Sequence, residues 1–210
     1  MDQIEQLIKR YPALSPCRDE IEKAIRQIIR AFERGGTLLV CGNGGSCADA
    51  EHIAGELMKG FRKRRPLSPE QKQKLAQVDK ALGDCLAESL QQPLRTVSLM
   101  GAPALTTAFS NDVNPAFACA QQALAFADEN SVFLGISTSG NAQNVLAAAV
   151  TAKAMGTPAI GLTGADGGKM NGLFDILIKV PETETYKIQE LHLPVYHCVC
   201  AAVEEHFFSE

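Results

Sequence analysis

TLLVCGNGGSCADAEHIAGELMKG, residues 37–60, is the stretch that decides the fold. It begins with an apolar run of strand length, residues 37–41, and continues through a glycine-rich turn, residues 42–46. The remainder has the composition and spacing of a helix. A strand, a tight loop and a helix in this order form the repeating unit of parallel α/β sheets. Residues 37–41 are therefore predicted to form a buried strand.

The same unit occurs again further along the chain. Residues 131–155 contain an apolar run, the polar turn STSGN and an alanine-rich helical stretch, and residues 158–173 form a weaker third copy. Apolar segments at residues 95–99 and 176–180 bring the number of strands to about five. We therefore predict an α/β fold with a doubly wound, five-stranded parallel sheet of the flavodoxin-like type, flanked by helices.

Three helical segments lie outside these units. Residues 1–34 are predicted to form helices that pack in an oligomer, and residues 62–92 a charged helical excursion that either covers the site or caps the surface. The last helix is predicted over residues 185–208, with Pro194 as a kink or a late start. Length and composition predict one domain over residues 1–210.

Composition excludes several classes of protein. The chain is 46% hydrophobic with a formal net charge of −4, and it has no apolar tract long enough to span a bilayer, so we expect a cytoplasmic protein without membrane or nucleic-acid partners. Its one basic cluster is short and is predicted to be solvated helix surface; it consists of Lys59, Arg62, Lys63, Arg64 and Arg65.

Seven cysteines without a CxxC pair favour buried free thiols over disulfides.

Two polar turns that follow predicted strands are suited to bind a phosphate. Small residues let main-chain amides approach an anion, the following helix N-terminus favours negative charge, and hydroxyl groups donate to phosphate oxygens. Either turn alone would also be explained as a tight turn, but two at equivalent places favour a shared phosphate site. The P-loop lysine and a GxGxxG motif are absent, which disfavours nucleotides. The candidates are Asn43, Gly44, Gly45 and Ser46 in the first turn, and Ser137, Thr138 and Ser139 in the second.

A third polar turn is predicted at Ser110, Asn111 and Asp112, after a strand and a short helix. Its amide and carboxylate groups could contact sugar hydroxyls. Taken alone, the turn would also be explained as helix capping.

Histidine and glutamate side chains form the second candidate constellation. His52 and Glu56 are four residues apart on the first predicted helix and therefore share a face. Gln189, His192 and His197 lie on the last helix. Nitrogen and oxygen donors of this kind could bind Zn²⁺ or a similar divalent ion, or transfer protons between C1 and C2 of a sugar. A purely structural histidine is the alternative for His52.

The motifs together resemble those of the sedoheptulose 7-phosphate isomerase family, which belongs to the SIS-domain phosphosugar binders. The resemblance covers most of the chain outside residues 62–92, and the combination is far more specific than the GNGGS turn alone. The matching segments are CGNGGSCADAEHIAGEL (41–57), FSNDVNPAFA (109–118), ISTSGNAQNVLAAA (136–149), GLTGADGG (161–168) and IQELHLPVYHCVCAAVEE (188–205).

This resemblance implies a SIS-domain homotetramer with active sites at subunit interfaces. It implies an aldose-ketose isomerase that converts sedoheptulose 7-phosphate to D-glycero-D-manno-heptose 7-phosphate, with Glu56 and His197 as the acid/base pair. It further implies one Zn²⁺ per subunit, held by His52, Glu56, Gln189 and His197. The implied substrate-binding residues are Asn43, Gly44, Gly45, Ser46, Asn111, Asp112, Ser137, Thr138, Ser139 and Gln189.

Two departures from the family pattern bear on the substrate. Ala142 stands where the family's STSGNS form has a serine, so one phosphate-binding hydroxyl is missing. The excursion at residues 62–92 leaves open a preference for another sugar phosphate. The alternatives are an isomerase or sensor for another sugar phosphate, and a non-catalytic SIS adaptor for a replication initiator. The presence of Glu56 and His197 argues against the adaptor.

Overall fold

The computed structural model describes residues 2–208, which contain a five-stranded parallel sheet with strand order β2-β1-β3-β4-β5. The strands are β1 (Leu38–Cys41), β2 (Thr96–Ser98), β3 (Val132–Ile136), β4 (Ala159–Thr163) and β5 (Ile176–Lys179). The helices are α1 (Gln3–Arg10), α2 (Arg18–Glu33), α3 (Gly45–Met58), α4 (Pro69–Val78), α5 (Lys80–Ser89), α6 (Pro103–Asp112), α7 (Ala118–Phe126), α8 (Gln143–Ala154) and α9 (Thr185–Phe208).

The predicted fold class is confirmed, including the flavodoxin-like strand order. Strand β1 pairs in parallel with both β2 and β3, so the direction of chain progression across the sheet changes between β1 and β3. Cys41 at the end of β1 lies in register with Gly135 of β3, and the turns that follow the two strands leave the sheet side by side. Ligands of open parallel sheets bind at this kind of position.

Helices cover both faces of the sheet. Alternate strand residues point to opposite faces, so Leu38 and Val40 join one apolar core while Leu39 and Cys41 join the other. The first core contains the buried sides of α1, α2, α3 and α9, and the second contains those of α7 and α8. Helix α9 is continuous through Pro194, so the proline does not mark its start. Within residues 2–208, no helix combines the length and apolar character needed to cross a membrane.

The excursion contains a helical hairpin made of α4 and α5. Ser68 forms a capping box with Gln71 at the beginning of α4. The tip of the hairpin is solvent-facing, because Val78 is 90% exposed.

Arg65 contradicts the prediction that the basic cluster is solvated helix surface. Residues 59–67 lie between α3 and α4 rather than in a helix, and Arg65 is only 1% exposed. Its guanidinium Nη2 lies 2.8 Å from the Glu204 carboxylate of α9, and its Nη1 donates to the main-chain oxygen of Leu57 at 2.7 Å. The prediction was wrong for this residue because local charge density does not reveal a distant buried partner.

Candidate active site

The two polar turns form neighbouring loops at the carboxyl edge of the sheet. Loop 1 (residues 42–46) leads into α3, and loop 2 (residues 137–142) leads into α8. The hydroxyl-bearing residues Ser46 and Ser137 are both buried. Each loop is followed by a helix N-terminus, whose free N–H groups and dipole favour an anion. The arrangement can therefore bind one phosphate from two sides.

Loop 2 is also held by the segment that follows β4. Gly140 has a φ of +64°, and a Cβ at this position would lie 2.1 Å from the main-chain oxygen of Gly167. Asn141 accepts a hydrogen bond from the main-chain N–H of Lys169 at 3.0 Å. Loop 2 consequently has a defined shape before any ligand binds.

Asn43 and Asn144 form a reciprocal pair of amide hydrogen bonds between loop 1 and the first turn of α8. The Nδ2 of Asn43 donates to the Oδ1 of Asn144 at 2.7 Å, and the Nδ2 of Asn144 donates back at 2.8 Å. Sequence reasoning missed Asn144, because an asparagine near a helix start carries no signal for a partner 101 residues away.

Gln189 lies against loop 1. A Cβ built on Gly45 would be 2.5 Å from the Nε2 of Gln189, so only glycine lets the glutamine side chain approach this closely. The first turn of α9 is thereby placed beside the start of α3. The predicted grouping of Gln189 with the first polar turn is thus present within one chain.

His52, Glu56 and His197 lie together about two helical turns further along α3 and α9. The Nε2 of His52 is 3.2 Å from the Glu56 carboxylate, and the ring centroids of His52 and His197 are 5.1 Å apart. The Nδ1 of His52 lies 2.9 Å from the hydroxyl of Tyr196. The structure therefore brings the predicted acid/base pair into one cluster.

Asp49 and Tyr196 complete this cluster and were not predicted. Burial raises the pKa of Tyr196, as does the Asp49 carboxylate, so the phenol keeps its proton at neutral pH. Burial also raises the pKa of Asp49, and the Tyr196 hydroxyl and His52 partly offset this effect. The signal was available for Asp49, which precedes His52 by three residues and therefore shares its helix face.

His197 is held in its neutral form by its surroundings. Burial and the neighbouring His52 lower its pKa, the Glu56 carboxylate opposes this, and Arg10 lowers it further. The Nε2 of His197 is buried and has no hydrogen-bond partner within residues 2–208. This nitrogen is free to accept a proton or to bind a cation.

Gln189 is not part of the His52, Glu56 and His197 cluster within one chain. It precedes His197 by eight positions on α9, about 12 Å at 1.5 Å per residue. In the described residues, no three or more His, Cys, Asp or Glu side chains are grouped closely enough to hold a metal ion. The four predicted metal ligands thus occupy two places in the monomer.

A cavity of about 550 Å³ opens beside His197. Its walls include Arg10 and Tyr11 from the N-terminal segment and Phe61 and Arg62 from the start of the excursion. Neither polar loop lines the cavity. His197 therefore faces an opening large enough for a small polar ligand, on the side where the N-terminal segment packs.

Asn111 and Asp112 are the last residues of α6, so the predicted turn at this point is wrong: the helix extends to Asp112. Both side chains are exposed, and Asn111 donates to Asp112 at 2.8 Å. Across residues 2–208, no hydrogen bond joins either side chain to the two loops. Their predicted role in substrate binding stays a prediction.

Comparison with known proteins identifies the family. Two SIS domain family models match residues 1–74 and 100–199. The chain is 38% identical to the phosphoheptose isomerase of Aneurinibacillus thermoaerophilus over 188 residues, which are 90% of this chain and 82% of that protein.

Solved structures agree with this result. A phosphoheptose isomerase from Francisella tularensis has a TM-score of 0.72 and 29% identity, covering 97% of this chain and 92% of its own. The phosphoheptose isomerase from Neisseria gonorrhoeae has a TM-score of 0.69 and 28% identity, covering 96% of this chain and 98% of its own. The chain belongs to the phosphoheptose isomerase family of SIS-domain proteins.

Proposed function

We propose that this isomerase interconverts sedoheptulose 7-phosphate and D-glycero-D-manno-heptose 7-phosphate. The observation that supports this most directly is the cluster of Glu56 and His197, in which His197 lines the cavity. Phosphate-binding loops alone would serve a sensor equally well, whereas isomerisation also needs an acid and a base near the reacting carbons.

The reaction moves one hydrogen and one carbonyl group between C1 and C2. A base removes a proton from C1 of the ketose while an acid protonates the oxygen on C2, and the product is an enediol. The enediol then loses the proton of its C1 hydroxyl and gains one at C2, which yields the aldose. Glu56 and the neutral ring of His197 supply the two proton-transfer groups.

The phosphate group is proposed to bind loops 1 and 2. Hydroxyl groups of Ser46, Ser137, Thr138 and Ser139 and the main-chain amides of both loops are the expected donors. Because these loops lack a lysine, binding rests on neutral donors and helix N-termini, which suits a phosphate monoester better than a triphosphate.

A Zn²⁺ ion held by His52, Glu56, Gln189 and His197 fits the chemistry of these residues. The Nε2 of His52 faces an oxygen of the Glu56 carboxylate, and this pairing needs a proton or a cation between the two atoms. The Nε2 of His197 is buried and has no hydrogen-bond partner within residues 2–208. Nitrogen and oxygen ligands are typical of zinc. When bound, the ion would polarise substrate oxygens.

A homotetramer with sites between subunits is part of the proposal. Gln189 lies about 12 Å along α9 from His197, and we propose that a second copy of the chain contributes to completing the ligand set. The same assembly would bring the loops of one subunit to the acid/base cluster of another. A cytoplasmic location stays a prediction from the sequence.

Activity measurements on matched variants test the proposal. We expect Glu56→Gln and His197→Ala each to lower kcat at least about 100-fold, the usual contribution of a general acid or base. The variant His206→Ala is the control, because His206 is exposed and contacts Glu33 on the protein surface. Variants at Glu56 or His197 that keep activity within a few-fold of the wild type would remove that residue from the mechanism.

Substrate and metal are tested separately. A panel of ketose phosphates of different chain length, in a coupled assay, should show the highest kcat/KM with sedoheptulose 7-phosphate. A stronger response to a pentose or hexose phosphate would favour the other sugar phosphates, and no turnover with any of them would favour a sensor or an adaptor. Elemental analysis of the purified protein should find about one zinc per chain, and mass photometry should find a tetramer.

A further inference from the structure

Loops 1 and 2 must keep a fixed separation to bind one phosphate, and the exposed residues of loop 1 contact Gln189 and α8. Loop 1 contains Gly44 at a φ of +56°, and Asn43, Gly44 and Gly45 are all exposed. In loop 2, Gly140 packs closely against the main chain of Gly167, and Asn141 accepts a hydrogen bond from the N–H of Lys169. The contact between loop 1 and α8 is the one of these that bears on the separation of the two loops.

The Asn43 and Asn144 pair provides this connection. Its two hydrogen bonds, at 2.7 and 2.8 Å, join the residue before the N-cap of α3 to the second residue of α8. No other hydrogen bond joins loop 1 to loop 2 or to the start of α8 within residues 2–208. Beyond the pairing of β1 with β3, these two bonds are therefore the hydrogen-bonded link between the two helix N-termini within residues 2–208.

Asn144 is the anchored member of the pair. It is half-buried, its Nδ2 also lies 3.6 Å from the Sγ of buried Cys119, and the next residue, Val145, is fully buried in the core of α8. Asn43 is exposed and belongs to the loop. Because one partner is fixed by the core and the other is not, Asn144 holds Asn43 rather than the reverse.

We infer that Asn144 is a positioning residue that sets the separation of the two phosphate loops through its amide pair with Asn43. The inference rests on the proposed function of these loops in binding the substrate phosphate. It also implies that the Asn43 side chain binds Asn144 and not the substrate. The phosphate is then bound by the main chain of loop 1 and the hydroxyl of Ser46.

Phosphate binding to the full-length protein tests the inference without relying on turnover. We expect Asn144→Ala to raise the Kd of inorganic phosphate, measured by calorimetry, about tenfold, as expected for loss of paired, partly exposed hydrogen bonds. With the sugar phosphate, KM should rise by a similar factor and kcat should stay within about twofold, because the phosphate is remote from the reacting carbons. Gln143→Ala, an exposed neighbour on α8, is the matched control and should leave both constants unchanged.

A double-mutant cycle separates the pair from two independent contacts. If Asn144 acts through Asn43, the variants Asn43→Ala and Asn144→Ala should have similar phosphate Kd values, and the double variant should be no weaker than either. Additive losses would overturn the inference. So would an Asn144→Ala protein that loses thermal stability but binds phosphate like the wild type, since that is a structural role. Wild-type protein that binds no phosphate would overturn the proposed function together with the inference.

Discussion

Replacement of Arg65 by methionine should destabilise the protein and disturb the helix that carries the proposed acid/base cluster. The Arg65 guanidinium is buried, contacts the Glu204 carboxylate and donates to main-chain oxygens of Leu57 and Glu56 at the end of α3. Glu204 in turn accepts hydrogen bonds from the N–H groups of Phe61 and Arg62, both at 2.8 Å. One buried ion pair therefore joins α3, α9 and the start of the excursion.

The magnitude follows from the groups left without partners. Burial alone would raise the pKa of Glu204, but the main-chain N–H groups of Arg62 and Phe61, together with Arg65, lower it overall, so the carboxylate is charged at neutral pH. Removing Arg65 leaves this charge buried with only the two N–H donors, and the loss of one partner of a buried pair costs about 3–5 kcal/mol. For a chain of this length, that lowers Tm by roughly 10 °C.

Thermal and chemical unfolding at one protein concentration provide the measurement, because the stability of an oligomer depends on concentration. Arg64→Met is the matched control, since Arg64 is exposed and should change the unfolding free energy by less than about 0.5 kcal/mol. Adding Glu204→Gln to Arg65→Met should recover about 1–2 kcal/mol, because the buried charge is removed while an oxygen remains to accept from the main chain. A loss below about 1 kcal/mol in Arg65→Met would refute the reasoning, which treats the pair as buried and charged.

Two further predictions concern loop 2 and pH. Ala142 is the N-cap of α8, and its side chain makes no capping hydrogen bond. Ala142→Ser should therefore raise the unfolding free energy by about 1 kcal/mol and lower the phosphate Kd. An unchanged unfolding free energy and an unchanged Kd would contradict this prediction. Burial lowers the pKa of His192 to about 4, so the folded chain binds fewer protons than the unfolded chain below pH 6.5, and stability falls as pH falls. At pH 5, His192 should lower the unfolding free energy by about 2 kcal/mol relative to pH 7. Urea unfolding at pH 7 and pH 5 checks this, and His192→Leu should show a correspondingly smaller difference.

The strands and loops of the sheet could be predicted because their signals are local. Short apolar runs between glycine-rich turns predicted the five strands, and helical spacing placed His52 and Glu56 on one face. The same spacing would also have placed Asp49 on that face. These features depend on residues within one or two helical turns of each other.

The contacts that hold the site together could not be predicted in this way. Arg65 and Glu204 are 139 residues apart, and Asn43 and Asn144 are 101 residues apart. In each case, a polar residue in an unremarkable local context acquires its role from a partner on another element. No local pattern distinguishes Arg65 from the exposed Arg64 beside it.

The sequence by itself determined the α/β sheet, the two polar loops at its edge and the shared helix face of His52 and Glu56, because periodicity and turn chemistry act over short distances. Only the tertiary structure decided that Gln189 lies at loop 1 and away from His197, that Arg65 is buried, and that Asn144 holds Asn43. The physical reason is that the packing of α3 against α9, and of β1 against β3, sets which distant side chains meet.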